Sequence, residues 1–152
     1  MRIALVHGFP GFSDIFGIAY FRGVQERLKG RFRDLDIFAP QLAGPFGLDS
    51  TPRRAAQLAG LLKERFPGPE KVHIIAHSGG GLDARLLAAP APGLDFGSRI
   101  SSITTISTPH HGSPVADVLA EAAEEVAHLL PSLGGLAEAI RGYTKSEVED
   151  FN

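Results

Sequence analysis

Four short apolar runs alternate along the chain with segments of helical periodicity. The apolar runs are 3–6, 35–39, 72–76 and 100–107. The periodic segments between them are 20–29, 51–66 and 79–89. Short apolar runs closed by Gly or Pro indicate buried strands, and apolar residues three and four apart indicate amphipathic helices. We therefore predict an α/β fold, with a parallel sheet of about four strands joined by right-handed helical crossovers.

The chain changes character after Pro114. Residues 115–130 form an amphipathic pattern with acidic residues on its other face, and a shorter helical segment covers 136–140. Thr144-Lys145-Ser146-Glu147 has the form of a capping box, which predicts the start of another helix. We expect one domain over 1–152, composed of a sheet core at 1–114 and a helical region at 115–152.

Composition limits the classes of site and partner. The 152 residues carry a formal net charge of −2, which does not favour nucleic-acid binding. The absence of cysteine excludes disulfides and thiolate metal ligands. The adjacent pair His110-His111 does not converge on one ion, so we expect no metal site. No apolar run is long enough to span a membrane, and the N-terminus lacks the features of a signal peptide, which makes a cytoplasmic location the default expectation.

The stretch Ile74-Ile75-Ala76-His77-Ser78-Gly79-Gly80-Gly81 places a serine between an apolar strand and a helix that begins with glycines. A serine on a tight strand-to-helix turn, with small residues on both sides, is typical of a nucleophile elbow. The N-terminus of the following helix would favour a developing oxyanion. The same stretch also fits a glycine-rich turn that cradles a phosphate. The pentapeptide around Ser78 does not separate the two interpretations.

A second motif upstream favours the nucleophile. His7-Gly8-Phe9-Pro10-Gly11 follows the first predicted strand, at the place where α/β hydrolases carry a second oxyanion donor. Under this interpretation the donors are the backbone N–H groups of Phe9 and Gly79.

Four stretches resemble the bacterial true lipases of the α/β-hydrolase superfamily. They are LVHGFPG, AYFRGVQERL, KVHIIAHSGGG and ITTISTPHHGS. In that family a strand ends in V-H-G, the elbow reads H-S-x-G-G, and a later strand ends in T-P-H-x-G-S. The resemblance covers residues 2–117 well and implies a serine ester hydrolase acting on an ester or lipid, with a lid-like helical region after the sheet. Ala76 departs from the glycine that opens the elbow in many hydrolases.

The resemblance assigns roles residue by residue. It implies that Ser78 is the nucleophile and that Phe9 and Gly79 form the oxyanion hole. Five further residues are expected beside the site: His7, Gly8, His77, Gly80 and His110.

The triad acid and base are not found in the chain. In the family the order is Ser, then Asp, then His, and the last two follow strands beyond the T-P-H motif. The resemblance thus implies a chain truncated at its C-terminus, without the calcium-binding region of related lipases, so we expect no cofactor. His110 and His111 are the plausible neighbours of Ser78, but we interpret them as loop structure and propose no substitute triad.

Alternatives to an active hydrolase stay open. Without a base, the chain could be a catalytically inactive α/β-hydrolase-like binding or association module. An exposed sheet edge would favour self-association. An acyltransferase would use the same nucleophile and fold, so the sequence does not separate it from a hydrolase. Members of the family are often secreted.

Overall fold

A computed structural model gives the structure of residues 1–8, 14–15, 18–19, 21–42, 49–90, 93–130, 132 and 134–149. The strands are β1 (Arg2–Val6), β2 (Asp14–Ile15), β3 (Ile18–Ala19), β4 (Asp36–Phe38), β5 (Val72–His77) and β6 (Ile100–Ile106). The helices are α1 (Val24–Arg31), α2 (Thr51–Arg65), α3 (Gly80–Ala88), α4 (Pro114–Leu129), α5 (Gly134–Arg141) and α6 (Lys145–Glu149).

The main sheet is parallel, with strand order β4-β1-β5-β6. The register aligns Ala4 with Ile74 and Ile74 with Ile103. Parallel neighbours require a crossover, and helices α1, α2 and α3 occur in the connections between successive strands. The predicted α/β fold is therefore confirmed, with strand and helix boundaries within a few residues of those expected.

The segment after β1 contains the two short strands β2 and β3. Residues 14–15 and 18–19 pair as a short antiparallel ladder, in which Asp14 aligns with Ala19. The predicted oxyanion donor Phe9 lies outside the described residues.

Helices cover both faces of the sheet, because alternate side chains of the central strands point to opposite sides. On one face Leu58, Leu62 and Phe66 of the α2 segment pack with Ile74 and Leu87. On the other face Ile3, Leu5 and Phe21 form a second cluster with Leu28 and Ile75. The two clusters thus pack against opposite faces of β1 and β5, the two strands whose C-terminal ends carry the predicted site.

Strand β6 forms one border of the sheet. Among the strands that the structure describes, it pairs with β5 alone. Four of its residues are exposed: Ser101, Ser102, Thr104 and Ile106. The exposed edge expected from the sequence is therefore present.

The apolar face of α4 is directed to solvent. The buried residues of α4 are Ala116 and Ala120, while Val118 is 68% and Leu129 81% exposed. The helix contacts α5, and Arg141 of α5 forms an ion pair with Glu124 of α4. The division of the chain into a core at 1–114 and a lid-like region at 115–152 stays a prediction.

Within the described parts of the chain, the helices are all too short or too polar to cross a lipid bilayer.

Candidate active site

Ser78 occupies a strained position at the end of β5. Its φ is 54°, in the left-handed region that a non-glycine residue adopts at a cost of about 1–3 kcal/mol. Its N–H donates to the carbonyl of Ile106 at 2.9 Å, and its carbonyl accepts from Thr108 Oγ1 at 2.8 Å and from the Gly81 N–H at 3.0 Å. Main-chain hydrogen bonds therefore stabilise the strained turn. This is the strand–turn–helix arrangement predicted around Ser78.

The end of β1 approaches the turn closely. A Cβ built on Gly8 would lie 2.7 Å from Ser78 Cβ and 2.9 Å from both Ser78 Oγ and the Gly79 nitrogen. A Cβ on Gly80 would lie 2.7 Å from the carbonyl oxygens of Val6 and His7. Only glycine fits at both positions without a shift of the backbone. Ser78 Oγ and the Gly79 nitrogen consequently both lie beside Gly8.

Helix α3 begins directly after the turn. Gly79 has helical backbone angles, and Gly80 is the first residue of the helix. The positive end of the helix dipole is thus located at Ser78 and Gly79.

His7 is fully buried and has a structural part in the site. The Leu42 N–H donates to its Nε2 at 3.3 Å, so Nδ1 carries the proton and donates to the Gly8 carbonyl at 3.0 Å. Burial, with the nearby Arg54 charge, lowers the pKa of His7 despite its main-chain hydrogen bonds. The imidazole of His7 thus connects the end of β1 to the main chain at Leu42.

A buried ion pair joins the end of β1 to the elbow helix. Arg54 of α2 donates through Nε to Asp83 Oδ2 at 2.9 Å and through Nη2 to the His7 carbonyl at 2.9 Å. Burial opposes the charge of Arg54, but Asp83 outweighs it and raises the pKa of the guanidinium. Burial raises the pKa of Asp83 to about 6, against the opposing effect of Arg54. One guanidinium therefore fixes α3 and the His7-Gly8 turn relative to each other.

Both ring nitrogens of His110 form hydrogen bonds to residues other than Ser78. Its Nδ1 accepts from Arg85 Nη1 at 3.1 Å, which leaves the proton on Nε2 to be donated to Thr105 Oγ1 at 3.0 Å. Burial, together with the charges of Arg85 and His111, lowers its pKa. The interpretation of His110 and His111 as loop structure stays a prediction.

The other histidines lie on the sheet or the surface. His73 Nδ1 hydrogen-bonds Ser102 Oγ at 2.9 Å, across β5 and β6. His77 is half-buried at the end of β5, and both His111 and His128 are exposed. We assign none of them as the base.

Tyr143 contacts the turn at Gly79, a contact that the sequence pattern does not predict. A Cβ built on Gly79 would lie 2.6 Å from Cζ of Tyr143, and closer still to its Oη. Tyr143 is 64 residues along the chain from Gly79, in the connection between α5 and α6, so no local pattern could have linked the two. The Arg54–Asp83 pair was missed as well. The sequence signal for this pair was a charged residue on the core-facing side of each helix, Arg54 in α2 and Asp83 in α3.

The described residues contain no group of three or more His, Asp or Glu side chains arranged to hold a metal ion.

Comparison with known proteins agrees with this geometry. The sequence model of the PGAP1-like alpha/beta domain family matches residues 54–128. Triacylglycerol lipases of Pseudarthrobacter phenanthrenivorans and Burkholderia plantarii are each 37% identical over 119 residues, which are 76% of this chain and 35% and 31% of those proteins. The chain thus spans about a third of the length of these curated relatives.

A solved structure shares the fold. The propeptide form of the Bacillus licheniformis lipase BlEst2 superimposes with a TM-score of 0.70 and 24% identity, over 99% of this chain and 31% of that one. Sequence and fold together show that the chain resembles the lipase-like α/β hydrolases over the part of those proteins that it spans.

Proposed function

We propose that the chain carries the nucleophile of a serine ester hydrolase, a lipase or carboxylesterase, and that Ser78 forms an acyl-enzyme. The observation that supports this most is the strained φ of Ser78 at the strand–helix junction, with Gly8 against its Oγ. A serine held in this conformation presents Oγ at the edge of the sheet where substrates bind in open α/β folds. The triacylglycerol lipases that resemble the chain suggest a lipid or other carboxylic ester as substrate.

In the proposed reaction, Ser78 Oγ attacks the ester carbonyl carbon, and the bond to the alcohol oxygen breaks. The proton of Oγ passes through a base to the departing alkoxide, and water later releases the acid from the acyl-enzyme. The N–H groups of Gly79 and Phe9 are the proposed donors to the oxyanion. We propose that the base and acid lie outside these 152 residues, because His110 has both ring nitrogens engaged and no other described histidine is assigned to Ser78.

The experiment uses p-nitrophenyl butyrate with imidazole as an external base. We expect the intact mass, measured after rapid removal of imidazole and ester, to show one butyryl adduct on Ser78, because hydrolysis of the acyl-enzyme also needs a base. The adduct should be absent in Ser78→Ala. Equal adduct formation in that variant would contradict the proposal.

The second candidate is an inactive association module, which the exposed edge of β6 favours. Thr104 and Ile106 are exposed on this edge, and Ile106 retains 47% of its surface. An unpaired parallel edge with few charges pairs readily with a second chain. Under this candidate, sedimentation velocity would show a dimer that Thr104→Lys converts to a monomer, and p-nitrophenyl butyrate would leave Ser78 unmodified.

A further inference from the structure

Tyr143 occupies the space that a side chain at position 79 would need. Its Oη and Cζ face the Cα of Gly79, with Cζ 2.6 Å from the built Cβ. Because Oη is nearer still, it lies within about 5 Å of the Gly79 nitrogen, the proposed oxyanion donor. Because Gly79 has no side chain, the Tyr143 phenol fits beside it.

Two segments hold Tyr143 in this position. The Ser113 N–H donates to its carbonyl at 2.9 Å, and the Tyr143 N–H donates to Ile140 at 3.0 Å. Gly112, at a φ of 73°, lets the loop after β6 approach the main chain of Lys145. The same loop bonds Ser78 through Thr108. The phenol is thus fixed relative to the turn by the loop that also supports the nucleophile.

We propose that Tyr143 is a specificity-determining residue: its phenol limits the size of the ester group that fits beside Gly79. This role rests on the proposed nucleophile. The ring carbons contribute to the limit together with the hydroxyl oxygen, because Cε1 and Cζ both lie within 2.6 Å of the built Cβ of Gly79. Removal of the ring would open the space beside Gly79.

The test compares two fluorophosphonates, with a methyl or a hexyl group on phosphorus, in imidazole buffer. Labelling forms the Ser78 Oγ–phosphorus bond, releases fluoride and transfers the Oγ proton to imidazole. We expect Tyr143→Ala to raise the ratio of hexyl to methyl labelling rates by about tenfold, the scale on which pocket size discriminates substrates. Tyr143→Phe, which keeps the ring, should leave the ratio unchanged, and Ser78→Ala supplies the blank.

The outcomes separate the two proposals. If Ser78 is labelled with the same ratio of hexyl to methyl rates in the parent chain, Tyr143→Ala and Tyr143→Phe, the role of Tyr143 is wrong and the nucleophile stands. The same holds if Tyr143→Phe shifts the ratio as much as Tyr143→Ala. If the methyl probe labels none of the variants, the nucleophile itself is wrong. Thermal unfolding checks the contact independently: Gly79→Ala should lower Tm in the parent chain and much less in the Tyr143→Ala background, and equal losses would overturn the placement of Tyr143.

Discussion

Arg54 and His7 are joined by a hydrogen bond from Nη2 to the main-chain carbonyl, at 2.9 Å, in the interior of the protein. Since Arg54 also binds Asp83 on α3, one side chain links the C-terminal end of β1 to the helix that follows Ser78. Arg54 thus positions α3 relative to the end of β1.

Arg54→Met should destabilise the chain strongly. It keeps the apolar stem but leaves the Asp83 carboxylate buried without its partner, which costs about 3–5 kcal/mol. Chemical denaturation measures the loss. Arg53→Met, on the neighbouring exposed position, is the matched control and should change the free energy of unfolding by less than about 0.5 kcal/mol. Equal effects of the two substitutions would contradict the assignment.

The pH dependence of stability should report Asp83. Burial raises its pKa from 3.8 to about 6 in the folded state, so the folded state binds this proton more tightly than the unfolded state does. The resulting stabilisation is complete below the unfolded pKa and is lost as pH rises through about 6. The free energy of unfolding of the parent chain, minus that of Asp83→Asn, should therefore fall between pH 4 and 6, by at most about 1.4 kcal/mol per pH unit. A difference that rises with pH would mean that Arg54 outweighs burial.

Gly8→Ala should impair labelling of Ser78 more than it impairs folding. The added Cβ would meet Ser78 Oγ and the Gly79 nitrogen at 2.9 Å, so the turn must shift. Overpacking of this kind costs about 1–3 kcal/mol. We expect the rate of fluorophosphonate labelling to fall by about tenfold or more, since nucleophile geometry is sensitive to small displacements. Gly30→Ala, with open space around its Cβ, should leave the rate unchanged, and a parallel loss there would point to a general effect on folding.

Leu129→Gln should leave stability nearly unchanged and reduce aggregation. Leu129 is 81% exposed, so its apolar surface is not removed from water on folding. Ala120→Gln, at a buried position of the same helix, should instead destabilise by about 1–3 kcal/mol. Urea denaturation and light scattering measure the two effects. A large loss of stability in Leu129→Gln would show that this face of α4 is covered in solution.

The local sequence pattern was sufficient to predict the parallel sheet and the strand–turn–helix at Ser78. The apolar run that ends at Ser78, followed by glycines, fixed the strand–turn–helix, because small residues are required on both sides of a strained serine. The capping box at Thr144 also predicted a helix start, and its Oγ1 accepts from the Glu147 N–H at 3.4 Å.

Long-range contacts could not be predicted from the sequence pattern. Tyr143 contacts Gly79 from the connection after α5. Arg54 of α2 pairs with Asp83 of α3. The amphipathic pattern of 115–130 gave the helix correctly but could not show which face meets protein. Ala116 and Ala120 are the buried residues of this helix, whereas Val118 and Leu129 are exposed.

The most direct measurement is the intact mass of the chain after incubation with a fluorophosphonate in imidazole buffer. We expect one adduct on the parent chain, none on Ser78→Ala, and the same single adduct on Ser107→Ala as on the parent chain. Ser107 is a fitting control because it also has a positive φ, of 52°, and is exposed at the end of the neighbouring strand. No adduct on the folded parent chain, or an adduct that persists in Ser78→Ala, would contradict Ser78 as the nucleophile.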